Sequence, residues 1–351
     1  MSKKIMFVVA ILIVASLVLT ACTPKPTEAP KIKVCQVTDT GGIDDKSFNA
    51  TAWKGVQDAM GKYGVEGSYL ESQEIADYEK NINTFLEQKC DLIISVGFFL
   101  SDATKASAEA NADQKFSIVD VSYDPVITNV LGQVFDTDGA AFLAGYVAAG
   151  VTKTGTVGTF GGFAIPTVTI FMDGFTRGVL YYNEKHNTDV KVIGWDINDP
   201  DKGLFSNTFD DADKGKELGI SLLDEGADII MPVAGPVGLG TAAAVKERGN
   251  AYIIGVDSDW YLTSPDYASI VLTSVMKNMD VTVMEAVKMV VEGTFKGGTT
   301  VGTLANGGVG LAPFHDCLLY TSDAADDLLC VALGGRRIIT TNNTLTPHLR
   351  H

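Results

Sequence analysis

Two aspartates that follow apolar runs are the first residues whose type and position suggest binding chemistry. Asp120 ends the run 116–120 (FSIVD), and Asp257 ends the run 253–257 (IIGVD). A carboxylate accepts charge-assisted hydrogen bonds from ring N–H groups or from vicinal hydroxyls. An aspartate at such a point can also simply cap the helix that follows.

The segments before these aspartates look like two copies of one unit. Residues 90–94 (CDLII) and 227–231 (ADIIM) begin equivalent apolar runs, and these runs, like the two aspartates, lie 137 residues apart. In open α/β sheets, ligands bind outside the carboxyl ends of the strands. Two lobes that face each other would bring Asp120 and Asp257 to one cleft, although any two α/β domains share some of this rhythm.

The elements that must position these residues alternate along the chain. We predict strands at 32–37, 92–96, 117–121, 130–133, 156–160, 190–193, 229–233, 252–256 and 270–274. Helical stretches lie between them at 47–62, 78–88, 140–150, 169–186, 214–225, 241–247 and 279–292. Near-continuous apolar strands that alternate with helices predict an α/β fold with parallel sheets covered on both faces.

The motif VTDTGGIDDKSFN at 37–49 follows the first strand and opens the first helix. Its glycine pair permits a tight turn, and Asp45 or Ser47 can cap the helix. Phe48 falls in the first helical turn, at the carboxyl edge of the sheet. Its ring can stack on a planar ligand there, or it can be ordinary core.

The N-terminal segment has the pattern of a lipoprotein export signal. Lys3 and Lys4 precede an apolar run at 5–19, and Leu-Thr-Ala leads directly to Cys22. We predict a signal peptide over 1–21, lipidation of Cys22 at the extracytoplasmic face of a membrane, and a Pro-rich tether over 22–30. The alternative is a secreted protein whose Cys22 is incidental.

Composition excludes several classes of function. The formal charge is −16, and such an acidic surface argues against binding nucleic acid.

We expect Cys35 and Cys90 to be buried thiols rather than a disulfide or metal pair, with oxidation left open because the protein is predicted to be exported. The chain has neither His-x-x-x-His nor Cys-x-x-Cys, and the loop 196–203 lacks the closing Glu of a calcium site, so we predict no metal and no cofactor.

The motifs together resemble the basic membrane protein family, the purine-nucleoside-binding lipoproteins of ABC uptake systems. They are the lipobox, the 37–49 motif, FGGFAIPTV at 160–168, FDDADKGKE at 209–217, GADII at 226–230, GVDSD at 255–259 and TSVMK at 273–277. The resemblance extends to residue 316. It implies a type I periplasmic-binding-protein fold, with two Rossmann-like lobes, a hinged cleft, and an ABC permease with its ATPase as partners.

The resemblance also implies roles for individual residues. Phe48 would stack on one face of a purine and Phe209, preferred over Phe205, on the other. Asn49 would hydrogen-bond the base, and Asp39 would contact its edge. The remaining implied ligand residues are Asp120 in the first lobe, Gly235 through its backbone, Asp257 at the ribose hydroxyls and Lys277 beside the sugar. No catalytic residue is expected, because no nucleophile stands beside a base.

The lobes are predicted to share the chain between them. Lobe 1 covers 31–150 and is completed by about 278–298, and lobe 2 covers 151–277 and is completed by about 299–316. Residues 317–351 change in character, and CLLYTSDAAD resembles translated adapter sequence. We therefore predict that 317–351 is a non-native tail that replaces a final helix.

Three other functions compete with purine-nucleoside capture. A receptor for a sugar or another small polar ligand would use the same fold, since fold alone does not select a ligand. A surface nucleoside-processing enzyme is a weaker candidate because it needs catalytic groups that the sequence does not offer. A sensing subunit of a membrane kinase is the third.

Overall fold

Two six-stranded sheets organise residues 31–315, which are the residues that the computed structural model describes. Each sheet is dominated by parallel strands, and helices follow the strands in alternation. The α/β class with two Rossmann-like lobes, predicted from the alternation and the resemblance, is confirmed.

The first sheet has the strand order β11-β5-β4-β3-β1-β2, and all of its strand pairs are parallel. Its members are β1 (Lys33–Val37), β2 (Glu66–Leu70), β3 (Leu92–Val96), β4 (Lys115–Val119), β5 (Val130–Phe135) and β11 (Gly298–Gly302). Every residue of the central strand β3 is buried. The edge strand β2 has no buried residue, which is why its polar sequence was not predicted as a strand.

The second sheet has the order β12-β10-β9-β8-β6-β7, and only β12 runs antiparallel to its neighbour. Its members are β6 (Thr156–Gly161), β7 (Lys191–Ile193), β8 (Ile229–Val233), β9 (Tyr252–Asp257), β10 (Val271–Lys277) and β12 (Val309–Leu311). The predicted repeat is visible here. The bounds of β8 lie 137 residues after those of β3.

Helices pack in pairs against the two sheets. They are α1 (Phe48–Tyr63), α2 (Asp77–Glu87), α3 (Ser101–Ala110), α4 (Thr137–Val151), α5 (Pro166–His186), α6 (Ala212–Asp224), α7 (Val237–Arg248), α8 (Trp260–Thr263) and α9 (Met279–Val291). Helix α1 packs on α9, α4 on α5, and α6 on α7. Three short 3₁₀ turns, Phe98–Leu100, Pro200–Lys202 and Pro265–Ile270, complete the described elements.

The chain passes between the lobes at points that differ from the predicted boundaries. Helix α4 packs on α5 and on β10 and β12 of the second sheet, so the first passage lies near Asp136 and not near residue 150. Strand β11 pairs with β5 in the first sheet, although 299–316 was assigned to lobe 2. The physical reason is that β11 pairs in parallel with β5 at the edge of the first sheet. Within the described part of the segment 299–316, only β12 pairs with a strand of the second sheet.

A disulfide joins Cys35 of β1 to Cys90 just before β3. The expectation of two free buried thiols was wrong in this respect. Both residues are buried in the core of lobe 1, and pairing of β1 with β3 brings Val34 opposite Leu92, so the two cysteines lie close enough to bond. The apolar surroundings correctly predicted burial but not the redox state.

Three predictions fall outside the described residues: the signal peptide over 1–21 with lipidation of Cys22, the tether over 22–30, and the tail over 317–351. Within residues 31–315, the longest apolar helices fall short of what a bilayer crossing requires.

Candidate ligand-binding cleft

A cavity lies where the carboxyl ends of both sheets face each other, the place where open α/β sheets bind ligands. Residues of both lobes line it. The lining includes all eight of the predicted ligand residues: Asp39, Phe48, Asn49, Asp120, Phe209, Gly235, Asp257 and Lys277. Residues 238 positions apart in the sequence therefore share one site.

The 37–49 motif forms one wall of the cavity through a network of buried hydrogen bonds. The Asp39 carboxylate accepts from the Asn49 side-chain amide at 2.7 Å and from the Gly41 amide at 2.9 Å. Asp45 accepts from the backbone amides of Ser47, Asn49 and Ala50 at 2.7–3.0 Å. Asp45 is thus the residue that caps helix α1, which settles the choice left open between Asp45 and Ser47.

Phe48 begins helix α1 and presents a half-buried ring to the cavity. The ammonium of Lys277 lies 4.8 Å from the centroid of this ring and 5.2 Å from that of Phe135. A cation at this distance is attracted to the ring face. The contact fixes the orientation of Phe48 relative to the end of β10.

Lys277 and Asp120 form a buried ion pair across the two lobes. Lys277 Nζ lies 2.5 Å from Asp120 Oδ1, and the two side chains are 3% and 8% exposed. Lys277 therefore does not lie on a solvated helix face beside Asp280. It compensates a charge that burial would otherwise make very costly.

Asp257 contacts the opposite lobe through Ser47. The Ser47 hydroxyl lies 3.0 Å from the Val256 carbonyl and 3.2 Å from Asp257 Oδ2. The Ser258 hydroxyl donates to the Lys46 carbonyl at 2.9 Å. These contacts join the loop after β9 to the loop before α1, so the two lobes meet directly beside the cavity.

Asp120 and Asp257 share an unusual backbone conformation. Their φ angles are +74° and +67°, in the left-handed region that non-glycine residues enter at a cost. Each residue is placed at the carboxyl end of its parallel strand, at the repeated position. Strain retained at two equivalent points of one cavity is typical of functional sites.

Burial dominates the titration of the acidic residues in the cleft. Desolvation raises the pKa of Asp45 to about 7 and that of Asp257 to about 6. It also raises the pKa of Asp39, against the hydrogen bond from Asn49. Desolvation raises the pKa of Asp120 as well, and the Lys277 charge opposes that rise. The cleft therefore favours ligands whose N–H or O–H groups can satisfy these carboxyl groups.

The other end of the cavity is aromatic. Phe98 and Phe99 come from lobe 1 and Phe209 from lobe 2, and all three line the cavity. Phe205 instead packs against Trp195 at a centroid distance of 6.0 Å and does not line the cavity. Of the two aromatics weighed for the second lobe, the structure places Phe209 in the cleft.

Gly162 makes room for that position. A Cβ on Gly162 would lie 2.1 Å from Cε1 of Phe209, a distance that no real side chain tolerates. The glycine pair at the end of β6 therefore lets the Phe209 ring lie directly on the backbone of the FGGF segment.

Several lining residues were not predicted from the sequence: Phe98, Phe99, Ile165, Thr167, Val168 and Phe171. Phe98 and Phe99 follow β3 directly, and their place at a carboxyl end was the signal that could have found them. Of the others, Ile165 directly precedes α5 and the rest lie in its first two turns, where they look like ordinary helix residues. Trp260 is buried and donates its indole N–H to the Val256 carbonyl at 3.0 Å, so it packs behind the site.

Among residues 31–315, no group of three or more His, Cys, Asp or Glu side chains is arranged to hold a metal ion. The acidic residues of the cleft are instead occupied by backbone amides, Asn49, Ser47 and Lys277.

Comparisons with known proteins agree with this architecture. The family model described as "Bmp: ABC transporter substrate-binding protein PnrA-like" matches residues 32–324. This match extends past residue 316, so the start of a non-native tail at residue 317 stays a prediction. A crystal structure of an ABC transporter solute-binding protein from Aeropyrum pernix superposes with a TM-score of 0.73 and 30% identity, over 87% of this chain and 81% of that one.

Two relatives show the extent of the sequence similarity. The ABC transporter nucleoside-binding protein BmpA of Lactococcus lactis is 33% identical over 336 residues, which cover 89% of this chain and 92% of that protein. A CD4+ T-cell-stimulating antigen of Listeria monocytogenes is 34% identical over 302 residues, 81% of this chain and 80% of the relative. With two lobes closed over one cleft and a family match over most of its length, this chain belongs to the Bmp family of PnrA-like ABC transporter substrate-binding proteins.

Proposed function

We propose that this substrate-binding protein captures purine nucleosides such as guanosine, inosine and adenosine in its interlobe cleft and delivers them to an ABC permease. The observation that carries the proposal is that aromatic rings and carboxylates from both lobes line one cavity. Phe48 and Phe209 supply ring faces from opposite lobes, and Asp39, Asp120 and Asp257 supply acceptors.

The chemistry of a purine nucleoside fits a cavity that is lined by both aromatic rings and carboxylates. A purine offers a flat heterocycle for stacking, which contributes on the order of 1–3 kcal/mol per base. Its ring N–H and ribose hydroxyls are donors that carboxylates bind strongly. The nucleoside-binding relative from Lactococcus lactis supports the same assignment. The roles of the eight lining residues as ligand contacts are part of this proposal.

We also propose that the protein works at the extracytoplasmic face of a membrane, held there by lipid on Cys22. The pattern of Lys3, Lys4, the apolar run and Leu-Thr-Ala before Cys22 supports it. More than one acyl chain gives stable anchoring where a single chain does not. Binding and delivery need no catalytic residue, no metal and no cofactor.

Calorimetric titration of the full chain with guanosine, inosine, adenosine and ribose tests the ligand. We expect at least one nucleoside to bind and ribose alone to bind far more weakly. Replacement of Phe48 by Ala should weaken nucleoside binding by roughly 5- to 100-fold, the loss of one stacked face. Phe205→Leu is the matched control, because Phe205 is an aromatic residue of lobe 2 that does not line the cavity.

The competing functions give different outcomes in the same set of measurements. Ribose binding with no response to nucleosides would establish a sugar receptor instead. Release of hypoxanthine during long incubation with inosine would establish a nucleoside-processing enzyme.

A further inference from the structure

Phe163 lies just outside the cavity and bridges the two lobes. It belongs to the FGGF segment after β6 of lobe 2, and it is half-buried. Its ring centroid is 5.2 Å from that of Phe99 in lobe 1, at an interplanar angle of 84°. It is also 5.0 Å from Phe209, at 64°. Phe99 and Phe209 both line the cavity, whereas Phe163 does not.

The contact differs in its chemistry from the polar interlobe contacts on the other side of the cleft. Ser47, Ser258 and Lys277 join the lobes through polar groups on the acidic side of the cleft. Phe99 and Phe163 join them on the aromatic side, edge to face, which is the favoured geometry of an aromatic pair. This pair forms only when the lobes are close, because its two rings belong to different lobes.

We infer that Phe99 and Phe163 form an aromatic clasp that seals the closed cleft and sets how long the ligand stays bound. Opening the lobes must break this contact and expose both rings to water, which costs free energy. Of the two rings of the clasp only Phe99 lines the cavity, so Phe163 is a positioning residue. It acts on ligand release more than on capture, since differences among related complexes reside mostly in dissociation rates.

The inference rests on the proposed function only in that a ligand must occupy the cleft. Dissociation rates of the tightest-binding nucleoside are measured by stopped-flow fluorescence for the full chain, Phe163→Leu, Phe99→Leu and the double variant. We expect Phe163→Leu to raise the dissociation rate about threefold to tenfold, as expected for one aromatic pair. The association rate should change less than twofold.

The double variant makes the test specific. If the two rings act through each other, Phe163→Leu has its effect when Phe99 is present and little or none in the Phe99→Leu background. Phe205→Leu, which alters an aromatic pair within lobe 2, should leave the dissociation rate unchanged. An equal rate for Phe163→Leu and the unaltered chain, or an equal increase in both Phe99 backgrounds, would overturn the clasp.

A chain that binds no nucleoside would reject the proposed function without deciding the clasp, so a second measurement needs no ligand. Small-angle scattering of the ligand-free chain reports the balance of open and closed lobes. Phe163→Leu should increase the radius of gyration if the clasp holds the lobes together, and Phe205→Leu should not. An unchanged radius of gyration in that case would contradict the clasp.

Discussion

Lys277 and Asp120 depend on each other, because each neutralises a charge that the other would leave buried. Lys277 is almost fully buried and has Asp120 at 2.5 Å and the Phe48 ring at 4.8 Å. A buried pair of this kind is weak evidence for stability, but removal of one partner leaves the other charge uncompensated. The pair therefore fixes geometry, and each member depends on the other.

Replacement of Lys277 by Met should lower the free energy of unfolding by about 3–5 kcal/mol, because Asp120 remains buried without its cation. Urea unfolding followed by circular dichroism measures the change. The double variant Lys277→Met with Asp120→Asn should recover most of the lost stability. Equal stabilities of the single and double variants would show that the charge on Asp120 is not the cause.

The raised pKa values in the cleft predict a dependence of stability on pH. Asp45 and Asp257 titrate at about 7 and about 6 in the folded protein, against an ordinary value of 3.8. The folded state therefore holds protons that the unfolded state has released, and its stability falls as pH rises through this window. Between pH 5 and pH 8 the free energy of unfolding of the ligand-free protein should decrease.

The contribution of one carboxyl group can be isolated in this pH profile. Asp45→Asn should reduce the slope by about one proton in the range up to pH 7. Nucleoside affinity should follow the opposite trend and increase over the same range, because ligand N–H and O–H groups bind the ionised carboxylates. Identical slopes for the variant and the unaltered chain would contradict the assignment to Asp45.

At the scale of elements, the turns after the strands decide the shape of the site. The FGGF segment after β6 places Gly162 under the ring of Phe209, and this close approach excludes any side chain at that position. Strand β1 leads into the 37–49 motif, and the disulfide from Cys35 to Cys90 ties this strand to the segment before β3. The end of β6 thus positions Phe209, and the cross-linked β1 supports the loop that carries Asp39.

Gly162→Ala should weaken nucleoside binding by about tenfold or more, because the added methyl must displace the Phe209 ring. A loss of 1.4 kcal/mol of contact corresponds to that factor, and calorimetric titration measures it. Gly61→Ala in helix α1 is the control, since a Cβ there meets nothing within 4 Å. It should leave the affinity unchanged and stabilise the helix slightly.

Loss of the disulfide should lower stability without altering the site. Cys35 and Cys90 are 55 residues apart, and a link that closes a loop of this size typically contributes about 2–4 kcal/mol. Cys35→Ala with Cys90→Ala should therefore melt at a lower temperature, measured by calorimetry, while nucleoside affinity changes little. Reductant should lower the melting temperature of the unaltered chain, and insensitivity to it would show that the bond contributes nothing.

For the molecule as a whole, hydrogen bonds beside the cleft join the two lobes directly. The Ser258 hydroxyl donates to the Lys46 carbonyl, and neither residue lines the cavity. Hinged closure of two lobes is a common mode of ligand capture. A contact of this kind stabilises the closed form without touching the ligand.

Ser258→Ala should weaken nucleoside binding by about threefold to tenfold, since a neutral hydrogen bond contributes about 1 kcal/mol. Calorimetric titration measures this change, and the melting temperature without ligand should stay within about 2 °C. Thr84→Ala, which removes a hydroxyl bond on the exposed face of α2, is the matched control. Equal effects of both variants on affinity would show that closure does not depend on Ser258.

Much of the architecture was accessible from the sequence because it is encoded locally. Apolar runs predicted the bounds of β3 and β8, and the seven predicted helical stretches lie within about four residues of the observed ends. Helix α3 was not predicted. The strands β2, β11 and β12 were not predicted, since none of them has an extended apolar run. The crossing between the lobes near Asp136 could not be predicted, because the sequence of α4 does not indicate which sheet this helix packs against.

The α/β class, the internal repeat and the strand-end placement of Asp120 and Asp257 could be predicted from the sequence, because they depend on residue spacing along single elements. The bond between Cys35 and Cys90, the pairing of Lys277 with Asp120 and the contact of Phe99 with Phe163 became visible only in the folded chain. Each of these contacts joins residues distant in the chain. Their distances follow from how the sheets are ordered and how the lobes close, and no local pattern carries that information.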